Sequence, residues 1–385
     1  MFRSIFVLAA ALVLVPGTSS AQEDAHRERA LRVLSSTPLV DGHNDLPWAI
    51  RQSDAAPRDV SAEAHNLRGR TSFHTDIARL RAGHVGAQYW SVYVPYGAVE
   101  EGAAMTQLEQ IDIAHQIIAR YPDVFELALD ASDVERIFAT GKIASMLGME
   151  GGHAIENSLG ALRAFHELGV RYMTLTHNGT IDWADSAADT ARHGGLSAFG
   201  MEVVREMNRL GMLVDLSHTS PATMNDALDV SAAPVIWSHA AARAVTDHTR
   251  NVPDEVLRRL PENGGVVMVT FVPAFVSAGD RATLADVADH VDHVANVAGV
   301  DHVGIGSDFD GISSTPVGLE DASTFPALFA ELSRRGWTDE DLAKLAGENL
   351  LRVMREAEAV ARVIQRERPP STATIEELDG PAAGG

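Results

Sequence analysis

The sequence predicts a single α/β domain closed into a TIM-type (β/α)8 barrel. Short, nearly continuous apolar runs alternate with amphipathic helical stretches about eight times along the chain, the mark of a parallel sheet covered on both faces. Histidines and acidic residues gather at the ends of these runs, which in a closed barrel is the face that carries chemistry. A chain of 385 residues is long enough for one such domain. An open doubly wound sheet is the structural alternative, but no glycine-rich dinucleotide turn follows an early strand.

Strands are expected over Leu39–Asp45, Val85–Val94, Ile143–Gly151, Arg171–Asn178, Leu213–Ser220, Pro234–Ala240, Val266–Phe271 and Val303–Asp310. Helical periodicity is expected over Met105–Arg120, Leu159–Leu168, Leu196–Leu210, Pro221–Leu228, Leu284–Ala298 and Phe325–Arg335. Leu168-Gly169 and Leu210-Gly211 read as glycine helix stops that lead straight into a strand. No internal repeat or linker interrupts residues 22–368, which are expected to form one catalytic domain.

At the N-terminus, Arg3 precedes an apolar run from Ile5 to Val15. Pro16-Gly17 breaks the run, and Ser19-Ser20-Ala21 follows. This pattern predicts a signal peptide over residues 1–21, and a periplasmic or secreted product. The run falls short of the ~20 residues a transmembrane helix needs, so no stable membrane anchor is expected after cleavage. Pro369–Gly385 is rich in Pro, Gly, Thr and acids and is expected to be a flexible tail.

A formal charge of -22 makes nucleic acid and anionic membrane surfaces poor partners. The absence of cysteine removes disulfides, thiolate catalysis and sulfur-bound zinc. Metal ligands must then come from the 16 histidines and 53 acidic residues.

The expected first strand ends in Asp41-Gly42-His43-Asn44-Asp45, the third in Met149-Glu150-Gly151-Gly152-His153, and the fourth in Thr176-His177-Asn178. The fifth ends in Asp215-Leu216-Ser217-His218, the sixth in Trp237-Ser238-His239 and the last in Gly306-Ser307-Asp308. Barrel closure would deliver His43, Asp45, Glu150, His177, His218, His239 and Asp308 into one bowl. His43 and Asp45 alternate along their expected strand and would face the same interior. Such a cluster is costly to desolvate unless something compensates it. Divalent metal does so: these donors suit zinc at ~2.0–2.2 Å, and two ions ~3.5–4 Å apart can share a carboxylate.

Taken singly, each residue has a plainer reading. A strand-end histidine is often just hydrogen-bonded in place, and Asp41 or Asp45 can cap the following segment. Glu150 can orient a Gly-Gly turn. Asp215 can pair with a nearby hydroxyl, which is the reading preferred for it. His153, His248, His293 and His302 fall outside the pattern and read as surface or supporting residues.

These residues lie in stretches that closely resemble the membrane (renal) dipeptidase family, zinc dipeptidases of the amidohydrolase-like barrels. The stretches are Val40–Trp48, Gly148–Gly151, Leu175–Asn178, Gly200–His218, Ser238–Ala240, Arg250–Asp254 and Gly304–Gly311. Asn349–Val353 resembles the family's closing helix. The resemblance implies two zinc ions per chain, one held by His43 and Asp45, the other by His218 and His239, with Glu150 bridging both. It also implies that His177 binds substrate and supports the developing oxyanion. Arg250 would clamp the substrate's C-terminal carboxylate, and Asp308 would move a proton from the attacking water. For Arg250 the alternative is a salt bridge to Asp254 at a helix start.

The implied substrate is a small dipeptide, with tolerance for a C-terminal D-residue, and the implied assembly is a homodimer. Trp48, Phe271 and Phe275 are expected near the rim. Two rival functions stay open beside it. One is a related binuclear metal amidohydrolase acting on another amide or a lactam; the other is a non-catalytic peptide-binding barrel. Ligand type alone leaves manganese and cobalt open beside zinc.

Overall fold

The computed structural model describes residues 20–100 and 102–380. Nine parallel strands are present among them: β1 (Leu39–Asn44), β2 (Val85–Tyr93), β3 (Phe125–Leu127), β4 (Ile143–Glu150), β5 (Val170–Thr174), β6 (Leu213–Asp215), β7 (Ile236–Ala240), β8 (Val266–Val269) and β9 (Val303–Ile305). β1 pairs with both β2 and β9, β2 pairs with β4, and β4 to β9 follow one another. Eight strands therefore close into the expected barrel. β3 stands outside the ring, along the first residues of β4, on the edge that β5 takes over from Leu147. Three residues, Phe-Glu-Leu, offer no periodicity from which a strand could be read.

Two apolar layers explain the near-continuous hydrophobicity of the strands. Val40, Ala87, Met146, Tyr172, Leu213, Ile236, Val266 and Met268 belong to the cluster that fills the barrel. Their neighbours in sequence, such as Leu39, Leu147, Met173, Val214 and Val267, belong to the larger cluster shared with the helices. Side-chain oxygens of Ser158, Ser197, Ser220 and Thr283 accept backbone N–H groups at the starts of four helices, as capping requires. Gly211, at φ +76°, ends the helix Ala198–Leu210 just before β6, the left-handed stop expected of Gly at that position.

Every strand of the ring loses at least one of its expected residues, and three stop well short. Those read over Arg171–Asn178, Leu213–Ser220 and Val303–Asp310 end at Thr174, Asp215 and Ile305. His218 and Asp308 adopt left-handed backbone, at φ +67° and +66°, which an extended strand cannot contain. β1 likewise ends at Asn44, and Asp45 is the N-cap residue of the helix Leu46–Arg51 rather than a strand residue. Asp45, His177, His218 and Asp308 thus stand immediately beyond the strands, while His43, Glu150 and His239 stay within their strand ends.

The expected signal segment lies, as far as residue 19, outside the described residues. The helix Ser20–Ser36 docks on the helix Phe325–Arg334, where His26 Nδ1 lies 2.9 Å from Ser333 Oγ. No helix among the described residues is long and apolar enough to cross a membrane. The segment expected as a flexible tail is fastened as far as Gly380. It carries a short helix, Ile375–Asp379, and Asp379 accepts hydrogen bonds from Ser197 Oγ at 2.6 Å and Phe199 N at 3.1 Å. Its acid, expected to face solvent, meets the positive N-terminus of the helix Ala198–Leu210.

Glu206 is the deeper fastening. Its buried carboxylate accepts from Arg209 at 2.8 and 2.9 Å, from Arg163 at 3.0 Å and from Ser371 N at 3.3 Å. Burial alone would raise its pKa; the hydrogen bonds from Arg209, Arg163 and Ser371 outweigh burial and hold it below the usual carboxylate range. A depressed folded-state pKa contributes stability above the unfolded value of 4.5 that is lost as pH falls through the folded value. Glu206→Gln is expected to lower stability by about 1–3 kcal/mol at pH 7. The deficit should shrink in urea titrations below pH 4.5.

Candidate metal centre and active site

Each predicted site residue reaches the same bowl by its own route. His43 is the penultimate residue of β1, Glu150 is the last of β4, and His239 lies within β7. His177, His218 and Asp308 each stand three residues beyond the ends of β5, β6 and β9. Glu150 is the hub. Its Oε1 lies 3.0 Å from His218 Nε2, 3.4 Å from His239 Nε2 and 3.9 Å from His177 Nε2. Its Oε2 lies on the other side, 3.6 Å from His43 Nε2, which is itself 3.3 Å from Asp45 Oδ2. Asp308 joins His43 and Asp45 in a group whose donor atoms all fall within 4.8 Å of one another.

The outer nitrogens show which way the imidazoles point. His218 Nδ1 lies 3.1 Å from the amide oxygen of Asn178, so it donates and leaves the Nε2 lone pair free. His239 Nδ1 lies 2.8 Å from Ser238 Oγ, whose own hydrogen goes to Asp215 Oδ2 at 2.6 Å. Asp215 therefore acts through hydroxyls, as expected, accepting from Thr174 Oγ1 at 2.5 Å as well. His43 Nδ1 lies 2.8 Å from the Tyr172 hydroxyl. All three rings turn Nε2 toward Glu150, the arrangement that outer hydrogen bonds impose on metal-ligating histidine.

The donor set fits divalent metal. His218 Nε2 and His239 Nε2 face each other at 2.9 Å, and two lone pairs hold that separation only with a proton or cation between them. His43 Nε2 and Asp45 Oδ1 are buried and find no hydrogen-bond partner. Burial, and secondarily nearby cationic groups, hold His218 and His239 well below the ordinary imidazole range, in the neutral form that binds metal. At Asp308, burial first and the adjacent Asp45 charge second push the carboxyl well up. Clustered carboxylates of this kind are stabilised when a cation supplies the opposing charge.

Arg250 is not the partner of Asp254. Asp254 pairs with Arg258 at 3.3 Å and His293 at 2.8 Å, while Arg250 turns inward and is 3% exposed. Burial lowers its pKa to about 10. Its Nε and Nη1 find no partner, and its guanidinium lies 5.2 Å over the Phe275 ring. A buried cation without a carboxylate is built to receive one.

The bowl encloses about 400 Å³, lined by Trp48, Tyr93, Val272, Phe275 and Ile312 beside the polar residues. Trp48 and Phe275 thus stand at the rim as expected. Phe271 does not: it is fully buried and packs on Phe309 and Phe325, because β8 ends before it. Of the two readings left for His153, surface or supporting, burial favours the second: its ring lies 5.7 Å from Tyr96. Asn178, Tyr93 and Tyr172 join the site without being legible as candidates in the sequence. For Asn178 the available signal is its place beside His177; the tyrosines lie within strands and read as core.

Comparison with known proteins agrees with this geometry. Residues 27–368 match the family model described as membrane dipeptidase, peptidase family M19. The fold matches the probable dipeptidase PvdM of Pseudomonas aeruginosa, with TM-score 0.80 at 23% identity over 88% of this chain and 100% of that one. A metallopeptidase of Rhodobacter sphaeroides, solved with a phosphinate mimic of the dipeptide L-Ala-D-Ala, is 27% identical, with TM-score 0.74 over 83% of this chain and 99% of that one. The dipeptidase AC, a metallopeptidase of family M19, is 28% identical, with TM-score 0.75 over 83% of this chain and 98% of that one. A barrel with this cluster of metal-binding donors, matched to one family over nearly its whole length, belongs to the membrane dipeptidases of peptidase family M19, metal-dependent hydrolases of dipeptide bonds.

Proposed function

We propose that the protein hydrolyses small dipeptides, including those with a C-terminal D-residue, with two zinc ions bridged by Glu150 and Asp308 as the proton carrier. The observation that carries this reading is the two-sided placement of Glu150, with His218 and His239 against one oxygen and His43 with Asp45 against the other. Bound there, a zinc pair supplies a water acidified to a pKa of ~7 and a charge that polarises the peptide carbonyl.

The remaining steps belong to the protein. Arg250 accepts the substrate's C-terminal carboxylate in its planar fork, which fixes the scissile bond over the carboxylate hub and leaves no room for a longer peptide. His177, whose Nε2 faces the same centre, donates to the oxygen that gathers charge in the tetrahedral state. Asp308 takes the proton from the attacking water and passes it to the leaving amine. The ligand of the Rhodobacter sphaeroides relative, a mimic of L-Ala-D-Ala, supports a substrate of this size and stereochemistry.

The test is metal content per chain together with hydrolysis of the four Ala-Ala isomers before and after chelation. About two zinc ions and chelator-sensitive cleavage are the expected results. Cleavage of N-acyl amino acids or lactams with no dipeptide turnover would overturn the substrate assignment. Arg250→Met is expected to raise KM for Ala-Ala about 10–100-fold with a smaller effect on kcat, since a charge-assisted hydrogen bond contributes about 1.5–3 kcal/mol. A C-terminally amidated dipeptide, itself a poor substrate, should be indifferent to that change.

A further inference from the structure

Three hydrogen bonds set the metal-facing histidines: Asn178, beside His177, serves His218, and Ser238, beside His239 on β7, serves His239. The third partner comes from across the barrel. Tyr172 is fully buried in the middle of β5. Its hydroxyl donates to Gly42 O at 3.2 Å, so its oxygen is free to accept from His43 Nδ1 at 2.8 Å. The phenol has one hydrogen to give, and the carbonyl can only accept. With the phenol hydrogen committed to Gly42 O, His43 Nδ1 is the donor to the Tyr172 oxygen, which leaves Nε2 as the nitrogen turned to Asp45 and Glu150.

The barrel is shaped to hold that ring. A Cβ on Gly148 would lie 2.0 Å from Tyr172 Cζ and 2.4 Å from its hydroxyl oxygen, so only glycine leaves space for the phenol to cross the interior. On the far side Tyr89 packs against Tyr172 with ring centroids 4.9 Å apart. Gly148 stands two residues before Glu150 on β4. One strand thus supplies both the shared carboxylate and the gap that seats the tyrosine.

We infer that Tyr172, seated by Gly148, is a positioning residue that fixes His43 for metal binding and so sets the affinity of the ion held by His43 and Asp45. The inference rests on the two-ion reading above. It differs from a packing role in what it predicts. The hydroxyl, and not the ring, carries the effect, and the effect falls on one ion of the two.

Tyr172→Phe keeps the ring and removes the hydroxyl. Zinc titrations against a chromogenic chelator are expected to show one of the two ions bound about 10–100-fold more weakly, the usual consequence of losing an outer hydrogen-bond partner. L-Ala-D-Ala turnover should fall at stoichiometric zinc and recover in excess zinc, with KM unchanged at saturation. Gly148→Ala, which must push the ring away without touching its chemistry, should weaken the same ion. Tyr89→Phe loses a neighbouring hydroxyl that makes no contact with His43 and should titrate as the unmodified protein does. Wild-type affinity in Tyr172→Phe overturns the inference, as does equal weakening in Tyr89→Phe. An unmodified protein that binds no zinc pair would instead sink the reading of the site itself.

Discussion

Glu150→Gln is expected to strip metal from the protein and to lower kcat/KM for L-Ala-D-Ala at least about 10³-fold at stoichiometric zinc, beyond the roughly 10–100-fold cost of losing an outer partner. That loss corresponds to about 4 kcal/mol of transition-state stabilisation. The size follows from the position of the carboxylate. Oε1 faces His218 and His239, and Oε2 faces His43. Glutamine offers one oxygen and one NH2 group, and the amide nitrogen has no lone pair to give a cation. Whichever way the amide turns, one side of the centre loses its anion and gains a donor. Three imidazole nitrogens and Asp45 then remain with no shared counter-charge between the two sides. The measurement is zinc per chain beside kcat/KM, with an unfolding curve to show that the barrel stands. Two ions retained with activity within tenfold of normal would remove Glu150 from the centre of the site.

Much of this arrangement is legible in the sequence, and for a physical reason. A parallel barrel buries both faces of each strand, so the strands stand out as apolar runs, and a His, Asp or Glu at the end of such a run stands out against them. Six runs ending that way imply convergence, because closure of the ring allows little else. What escapes are features in which local and tertiary effects compete. The apolar pattern carries the strands too far along at His218 and Asp308, because nothing in their side chains announces a left-handed backbone. β3 has three residues, and only its pairing with β4 makes it a strand. Tyr172 reads as core in a run of apolar neighbours, and its hydroxyl acquires meaning only once β5 is placed across the barrel from His43. The segment after Pro369 has the composition of a solvated tail. Its Asp379 is nonetheless captured by a helix N-terminus that lies far away in sequence.

Asp308→Asn is expected to produce a different failure: kcat lower by about 10²–10⁴-fold, the range for loss of a general acid–base group, with zinc content and KM for dipeptides close to normal. The substitution is unusually clean. Asp308 holds φ at +66°, a conformation that asparagine tolerates better than most residues, and the two side chains have nearly the same shape. Arg250 and Glu150 are untouched, so substrate capture and metal binding should persist while proton transfer does not. A second reading of Asp308 gives the opposite result. Its carboxylate lies in one group with His43 and Asp45, all donor atoms within 4.8 Å, so it has the proximity of a ligand. If it served as one, Asp308→Asn would shed an ion and be rescued by excess zinc, as Tyr172→Phe is expected to be. The geometry favours the proton carrier, since His43, Asp45 and Glu150 already surround that position. Asp308 also lines the same cavity as Arg250. Zinc content of the variant decides between the two, and a saturating-zinc assay that restores turnover would make Asp308 a ligand.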